Sequence, residues 1–239
     1  MKVLIHLKEG TKYLVKEPNR DFHTNQGMIK AADLAKEGKI SSSTGEIFAC
    51  FKPRYSDFWE NLKRGPQILL QKDIGLIISK TGINKASKVV DAGGGSGSLC
   101  LSLANICKQV VVYETNPDNI KIIQKNQEVF GIKNLSIKQK DVSLGISEKN
   151  LDLITLDLPE PWKAIETAQK ALKIGGHLVI YLPNLNQLKM FVDAVKGTDI
   201  HINEITELIK RDWKIDERIM RPEFQMLGHT GFLTFCRRY

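Results

Sequence analysis

The chain has 239 residues, with 35 Lys and Arg against 27 Asp and Glu, a net charge of +8. That length can bury a substantial apolar core, the basic balance favours polyanionic partners through counterion release, and no stretch approaches the roughly 20 apolar residues that span a bilayer. The four cysteines, Cys50, Cys100, Cys107 and Cys236, form no C-x-x-C pair, which argues against a zinc site or a disulfide framework. We therefore expect a soluble, cytoplasmic protein with no membrane segment and no metal.

The N-terminal part reads as short strands, over 1–7 and 12–15, broken by turn formers at Gly10, Pro18-Asn19 and Gly45. Residues 1–64 are expected to form a small β-rich domain, with a junction over 65–72. From Gln71 onward apolar, β-rich runs alternate with helical stretches, which is the pattern of βαβ units on a parallel sheet, so residues 65–239 form the second domain. Its strands are expected over 89–90, 110–113, 135–137, 151–156 and 177–181. One helix begins at Asn116-Pro117, a capping residue followed by proline, and stops at Gly131. Another begins near Pro161, buries Ala164, Ile165, Ala168 and Leu172, and ends at Gly175-Gly176. Near the C-terminus, 205–214 and 229–237 read as two more strands.

The first strand of the sheet runs into Asp91-Ala92-Gly93-Gly94-Gly95-Ser96-Gly97. Glycines at the carboxyl end of a parallel strand let the backbone turn tightly and approach a ligand where a Cβ would clash. A dinucleotide fingerprint would need glycine at position 98, which is Ser98. The spacing instead resembles the acidic-x-G-x-G-x-G loop of class I methyltransferases. The next strand ends in Glu114, placed to accept both ribose hydroxyls of an adenosine group, an arrangement that suits NAD as well. Asp141-Val142 follows the third strand, where the same resemblance puts contacts to an adenine. The plain alternative for both acids is a solvated strand end.

The fourth strand delivers Leu156-Asp157-Leu158-Pro159-Glu160-Pro161-Trp162. Two prolines stiffen the turn after Asp157 and hold its carboxylate in one orientation, which suits chemistry on an amine. For an adenine alkylated at N1, a carboxylate bonded to the exocyclic amine both orients the base and takes up positive charge. The plainer role for Asp157 is to cap the following helix.

Taken together, these motifs resemble the tRNA adenine-N1 methyltransferases acting at position 58, particularly their archaeal and bacterial single-gene form. The resemblance covers nearly the whole chain: Phe22-His23-Thr24, Arg64-Gly65-Pro66-Gln67, the glycine loop, Leu156-Asp157-Leu158-Pro159 with Pro161-Trp162, Tyr181-Leu182-Pro183-Asn184 with Gln187, and Gly228-His229-Thr230-Gly231-Phe232. It implies an α/β chain in which a Rossmann-like domain, with a seven-stranded, mostly parallel sheet, follows the small β-rich one. It further implies S-adenosylmethionine as methyl donor, a homotetramer gripping tRNA, and methylation of N1 of adenosine 58 in the T-loop, with position 57 left open. By position, Asp157 matches the catalytic aspartate. Leu69, Gly93, Gly95, Ser96, Glu114, Asn119, Asp141, Val142 and Asp157 match cofactor-contacting positions, with Gln67 beside Leu69 in the segment covering the cofactor. Gly94 departs from the family, where a larger residue is common, and should loosen the loop slightly.

An N1 target on the Watson–Crick edge must be extracted from its stack. Lys52, Arg54, Lys63, Arg64, Arg221, Arg237 and Arg238 are candidates to hold phosphates, and Tyr55, Trp162 or Tyr181 to line a base pocket, though each aromatic taken singly suits a core better than a stacking platform. His23 and His229 read as hydrogen-bonded structural residues. Two other readings remain open from the residues alone: a methyltransferase of a small tetrapyrrole precursor, and a non-catalytic tRNA-binding subunit.

Overall fold

A computed structural model describes every residue of the chain except Arg64, Pro66, Gln67 and Glu217. The contacts divide it into two units, Met1–Leu62 and Lys63–Tyr239. In the first, β1 (Lys2–His6), β2 (Lys12–Val15), β3 (Phe22–Thr24), β4 (Gly27–Ile29), α1 (Ala31–Leu34), β5 (Gly38–Ser41), β6 (Ile47–Phe51) and α2 (Tyr55–Glu60) follow in order. An antiparallel sheet has the order β2-β1-β6-β5, and β3 and β4 form a separate hairpin. Alternation along β6 turns Phe48 and Cys50 inward, where they meet Leu4, Val15, Ile29, Leu34 and Ile40 in one apolar core. Lys12 ties α2 to β2 through ion pairs with Asp57 and Glu60.

The second unit continues with α3 (Gln71–Thr81), β7 (Lys88–Ala92), α4 (Ser98–Ala104), β8 (Gln109–Tyr113), α5 (Pro117–Phe130), β9 (Leu135–Lys138) and β10 (Leu151–Leu156). After a 3-10 turn at Pro161–Ala164 come α6 (Ile165–Ala171), β11 (Leu172–Leu182), α7 (Leu185–Val195), β12 (Ile200–Glu207), β13 (Trp213–Asp216), β14 (Ile219–Pro222) and β15 (Phe232–Arg238). Seven strands form one sheet in the order β12-β15-β11-β10-β7-β8-β9, parallel except where β15 runs against β11 and β12. This is the mostly parallel α/β sheet expected from the alternation, and its central strands are apolar on both faces because helices cover both. The chain turns back at β7, so the crevice beyond the carboxyl ends of β7 and β10 is the natural ligand site. Among the described residues, no helix is long and apolar enough to cross a membrane.

The local signals behave as physics dictates around α5. The Asn116 side chain accepts from Asp118 N at 2.9 Å, Pro117 opens the helix, and Gly131 closes it with φ +66°. Two expectations need correction. The helix from Pro161 starts as a 3-10 turn and stops at Ala171, and Gly175-Gly176 lie inside β11 rather than at a helix stop. There the pairing of β10 with β11 jumps from Leu151↔Leu172 to Leu153↔His177, and a Cβ on Gly176 would come within 2.9 Å of the Leu151 carbonyl. The two glycines therefore serve a bulge. The strand expected over 205–214 ends at Glu207, because its partner β15 begins opposite that residue at Phe232; the chain then forms the separate β13–β14 hairpin.

Helix α7 is pinned to the sheet by Phe191, which is fully buried among Leu188, Val195 and Ile200. Phe191→Ala should cost about 3–5 kcal/mol of stability, measured by urea unfolding, with a cost under about 1 kcal/mol showing that the helix is not anchored there.

Candidate active site

Strand β7 ends at Ala92 and its loop folds back at once. Gly93, Gly95 and Gly97 have φ of +87°, +53° and +87°, and Gly97 caps the N-terminus of α4. Gly93 is irreplaceable for a second reason: a Cβ there would collide with the backbone carbonyl of Asp157. Gly94 has ordinary φ but no free space, since a Cβ would lie 2.6 Å from Val112 Cγ2 and 2.8 Å from Ile123 Cδ1. Its effect is thus close packing of the loop on β8 and α5, in place of the loosening expected from its size.

Glu114, at the end of β8, is 7% exposed and is not a solvated strand end. Its carboxylate accepts from Gly95 N (2.9 Å), Asn116 N (2.8 Å) and Asn119 Nδ2 (3.3 Å), so it fixes the glycine loop while keeping lone-pair capacity on the cavity side. Ser96 is buried, and its Oγ has no hydrogen-bond partner among the described residues. Asn126, which carries no signal beyond being a polar residue on the inner side of a helix, donates to Ser96 O (2.9 Å) and Lys63 O (3.0 Å) and accepts from Lys63 N (3.0 Å). It braces the loop from behind.

These residues surround a cavity of about 530 Å³ lined by Gly65, Gly93, Gly95, Ser96, Glu114, Thr115, Asn119, Asp157, Leu158 and Pro159. A second cavity of about 220 Å³ shares Thr115, Leu158 and Pro159 with it and adds Asp141, Ser143, Glu160, Lys163 and Ala164. Of the expected cofactor positions, Gly93, Gly95, Ser96, Glu114, Asn119 and Asp157 therefore meet at one cavity, and Asp141 lines its neighbour. Asp141 also accepts from Ser143 N (2.8 Å), and that bond holds its carboxyl below the usual range. Val142 is packed in the sheet's core and Leu69 is buried; neither lines the cavity. Gln67 and Arg64 lie outside the described residues.

Asp157 caps no described helix. It keeps accessible surface toward the cavity, while protein crowds its other sides and the Glu114 charge lies near, and its carboxyl is pushed up to about 6. Behind it, Asp91 is fully enclosed; burial raises it to about 7, opposed by a 2.6 Å hydrogen bond from Thr155 Oγ1. Glu114 and Asp157 thus face one cavity, with Asp91 buried close enough to feel both charges, an environment that favours a cationic ligand. Among the described residues, no group of His, Cys, Asp and Glu is placed to hold a metal, and all four cysteines are free and buried.

The other candidates divide. Lys52, Arg54, Lys63 and Arg237 are exposed, Arg221 stacks over Phe224 at 3.9 Å, and the Arg238 guanidinium is taken up by the Leu172 carbonyl. Trp162 packs on the core, and Tyr181 donates to Thr230 O at 2.6 Å. His23 stands exposed on β3, whereas His229 is held between Glu207 (2.5 Å) and Pro183 O (2.7 Å).

A family described as "tRNA methyltransferase complex GCD14 subunit" matches residues 55–220. The tRNA (adenine(57)-N(1)/adenine(58)-N(1))-methyltransferase TrmI of Methanocaldococcus jannaschii is 35% identical over 96% of this chain and 92% of its own. Among solved structures, tRNA (m1A58) methyltransferase TrmI from Aquifex aeolicus superposes with TM-score 0.81 at 25% identity, covering 100% of this chain and 96% of that one. A SAM-dependent O-methyltransferase from Thermotoga maritima gives 0.86 at 28% identity, covering 99% and 92%.

The raised carboxyls make stability depend on pH. Below the unfolded value of about 3.9 these groups are neutral in both states; as pH rises to about 7, folding must increasingly bury charge, so stability falls. Asp91→Asn keeps an acceptor for Thr155 and should flatten that decline between about pH 4 and 7 in denaturant titrations; an unchanged slope would show that Asp91 is not its source.

Proposed function

The chain belongs to the tRNA methyltransferase family whose members match it across both units, and on that premise we propose that it transfers the methyl group of S-adenosylmethionine to N1 of adenosine 58 in the tRNA T-loop, in the cytoplasm. The observation that carries the reading is the placement of Asp157 at the rim of a glycine-lined cavity that also holds Glu114 and the Ser96 hydroxyl, which has no partner among the described residues. Relatives that span the N-terminal unit as well as the sheet are named for tRNA, which favours this reading over a tetrapyrrole substrate. The intact loop together with Asp157 favours an enzyme over a binding subunit.

The cavity fits S-adenosylmethionine on chemical grounds. The two carboxyls on its lining, Glu114 and Asp157, suit a cationic donor, Glu114 also suits ribose hydroxyls, and Gly93 and Gly95 allow close backbone approach. When bound, this donor supplies an electrophilic methyl group on a sulfur that departs as a neutral thioether. Asp157 accepts a hydrogen bond from the exocyclic amine of the extracted adenine and so aims N1 at the methyl group. As N1 gains positive charge the amine becomes acidic, and the Asp157 carboxylate stabilises that charge and takes up the proton. Leu158 and Pro159 line the same cavity, and the remaining acceleration is alignment.

Self-assembly into a homotetramer is supported by the β13–β14 hairpin. Its register puts Trp213, Pro222, Ile215 and Met220 on one face and Lys214 and Arg221 on the other. That apolar face is uncovered, with Trp213 57%, Ile215 69% and Met220 76% exposed, whereas a two-stranded hairpin needs a covering layer to be stable.

Incubation of unmodified tRNA transcript with the protein and S-adenosylmethionine should yield 1-methyladenosine mapped to position 58 by nucleoside mass spectrometry; methylation elsewhere or none refutes the reading. Asp157→Ala should lower kcat, measured at saturating S-adenosylmethionine, by about 100-fold or more. Because the carboxylate is the competent form, kcat/KM measured against S-adenosylmethionine should rise through about pH 6 and then level, and Asp157→Asn should abolish that limb. The double change Ile215→Lys with Met220→Lys should lower the mass seen by light scattering while cofactor binding persists; an unchanged mass would remove the hairpin from the interface.

A further inference from the structure

We propose that Gln187 is a positioning residue for Asp157, acting through the backbone of the turn that follows it. The inference rests on Asp157 being the group that meets the target base. Asp157 leaves β10 with its N–H bonded to Ala92 O at 2.9 Å, and the next three residues run as irregular backbone to the 3-10 turn at Pro161–Ala164. Pro159 has no N–H to donate, and its carbonyl accepts from Gln187 Nε2 at 2.8 Å. Among the described residues, this is the one hydrogen bond that reaches 158–160 from another element. The others are local, from Lys163 N to Glu160 O and from Lys163 Nζ to the Glu160 carboxylate.

The Gln187 amide is itself held in one orientation. It is the third residue of α7, where its N–H donates to Asn184 Oδ1 at 3.0 Å and its Oε1 accepts from Asn184 Nδ2 at 2.5 Å. With the oxygen engaged there, the nitrogen is what faces Pro159. Helix α7 is in turn anchored by Leu188 and Phe191, so the bond references the turn to the packed core. On the other side of the same turn, Gly93 leaves no gap against the Asp157 carbonyl. Asp157 is therefore fixed between the glycine loop and α7. A carboxylate that must meet an amine beside an aligned methyl group tolerates little displacement, since a misplacement of about 1 Å costs on the order of 100-fold in rate.

Two substitutions separate this role from helix capping. Gln187→Glu keeps an acceptor for Asn184 Nδ2, and an acid suits a helix N-terminus, so the cap survives while the donor to Pro159 is removed. Gln187→Met removes both. The expected result for Gln187→Glu is wild-type Tm, a Kd for S-adenosylmethionine unchanged by calorimetry, and kcat on tRNA transcript reduced about 10- to 100-fold. Gln187→Met should lose kcat to the same extent and lose some Tm as well. Wild-type kcat in Gln187→Glu, or a fall in its Tm that accounts for the lost activity, would overturn the proposal. A wild-type chain that methylates no tRNA would instead overturn the reading beneath it.

Discussion

The site depends on the closeness of two neighbouring parallel strand ends. Where β7 and β10 leave the sheet, Gly93 lies against the Asp157 carbonyl with no room for a Cβ, Asp157 N bonds to Ala92 O, and Thr155 bonds to Asp91. This contact brings the glycine loop and the Asp157 turn into register, and a bulkier residue at Gly93 would push them apart. Only a residue without a side chain at φ +87° allows it.

The same closeness crowds Asp91, Glu114 and Asp157 together. Burial disfavours a negative charge on Asp91 and on Asp157, and the neighbouring carboxylates add to that, which is why Asp91 reaches about 7 and Asp157 about 6. A fold selected only for stability would not gather carboxyls this way, and strain of this kind gathers at functional sites. The compensation is chemical: a carboxylate that titrates near neutrality can take up a proton.

Around this centre, two stretches far apart in the chain brace one another. The Tyr181 hydroxyl bonds Thr230 O, its ring lies where a Cβ on Gly231 would be, and His229 joins Pro183 O to Glu207. Lys72 closes the corner by bonding both Asp73 and Thr230 Oγ1. Asn184 and Gln187 then carry that rigidity to Pro159. The sequences 181–187 and 228–232 are therefore parts of one support, on the strand-end side of the sheet where Asp157 sits.

What could be read from the sequence was local. The strand over 151–156 has the bounds expected, and the Asn116-Pro117 start and Gly131 stop of α5 hold because capping and φ preference involve only neighbouring residues. That the glycine loop, Glu114 and Asp157 would meet at one cavity was legible because each stands at the carboxyl end of a parallel strand. The pairing of distant segments was not. Gly175-Gly176 look like a helix stop until β10 is laid alongside, and 205–214 reads as one strand until β15 proves too short to pair it. Gly94 looks like slack until Val112 and Ile123 fill the space beside it, and nothing in the string of letters puts Gln187 against Pro159 or Asn126 against Ser96. The sequence by itself determined which chemistry the chain carries, since that depends on residue type and short spacing. Which groups meet, and how tightly, was decided by tertiary packing, because register and close approach depend on surfaces contributed by segments far apart in the chain.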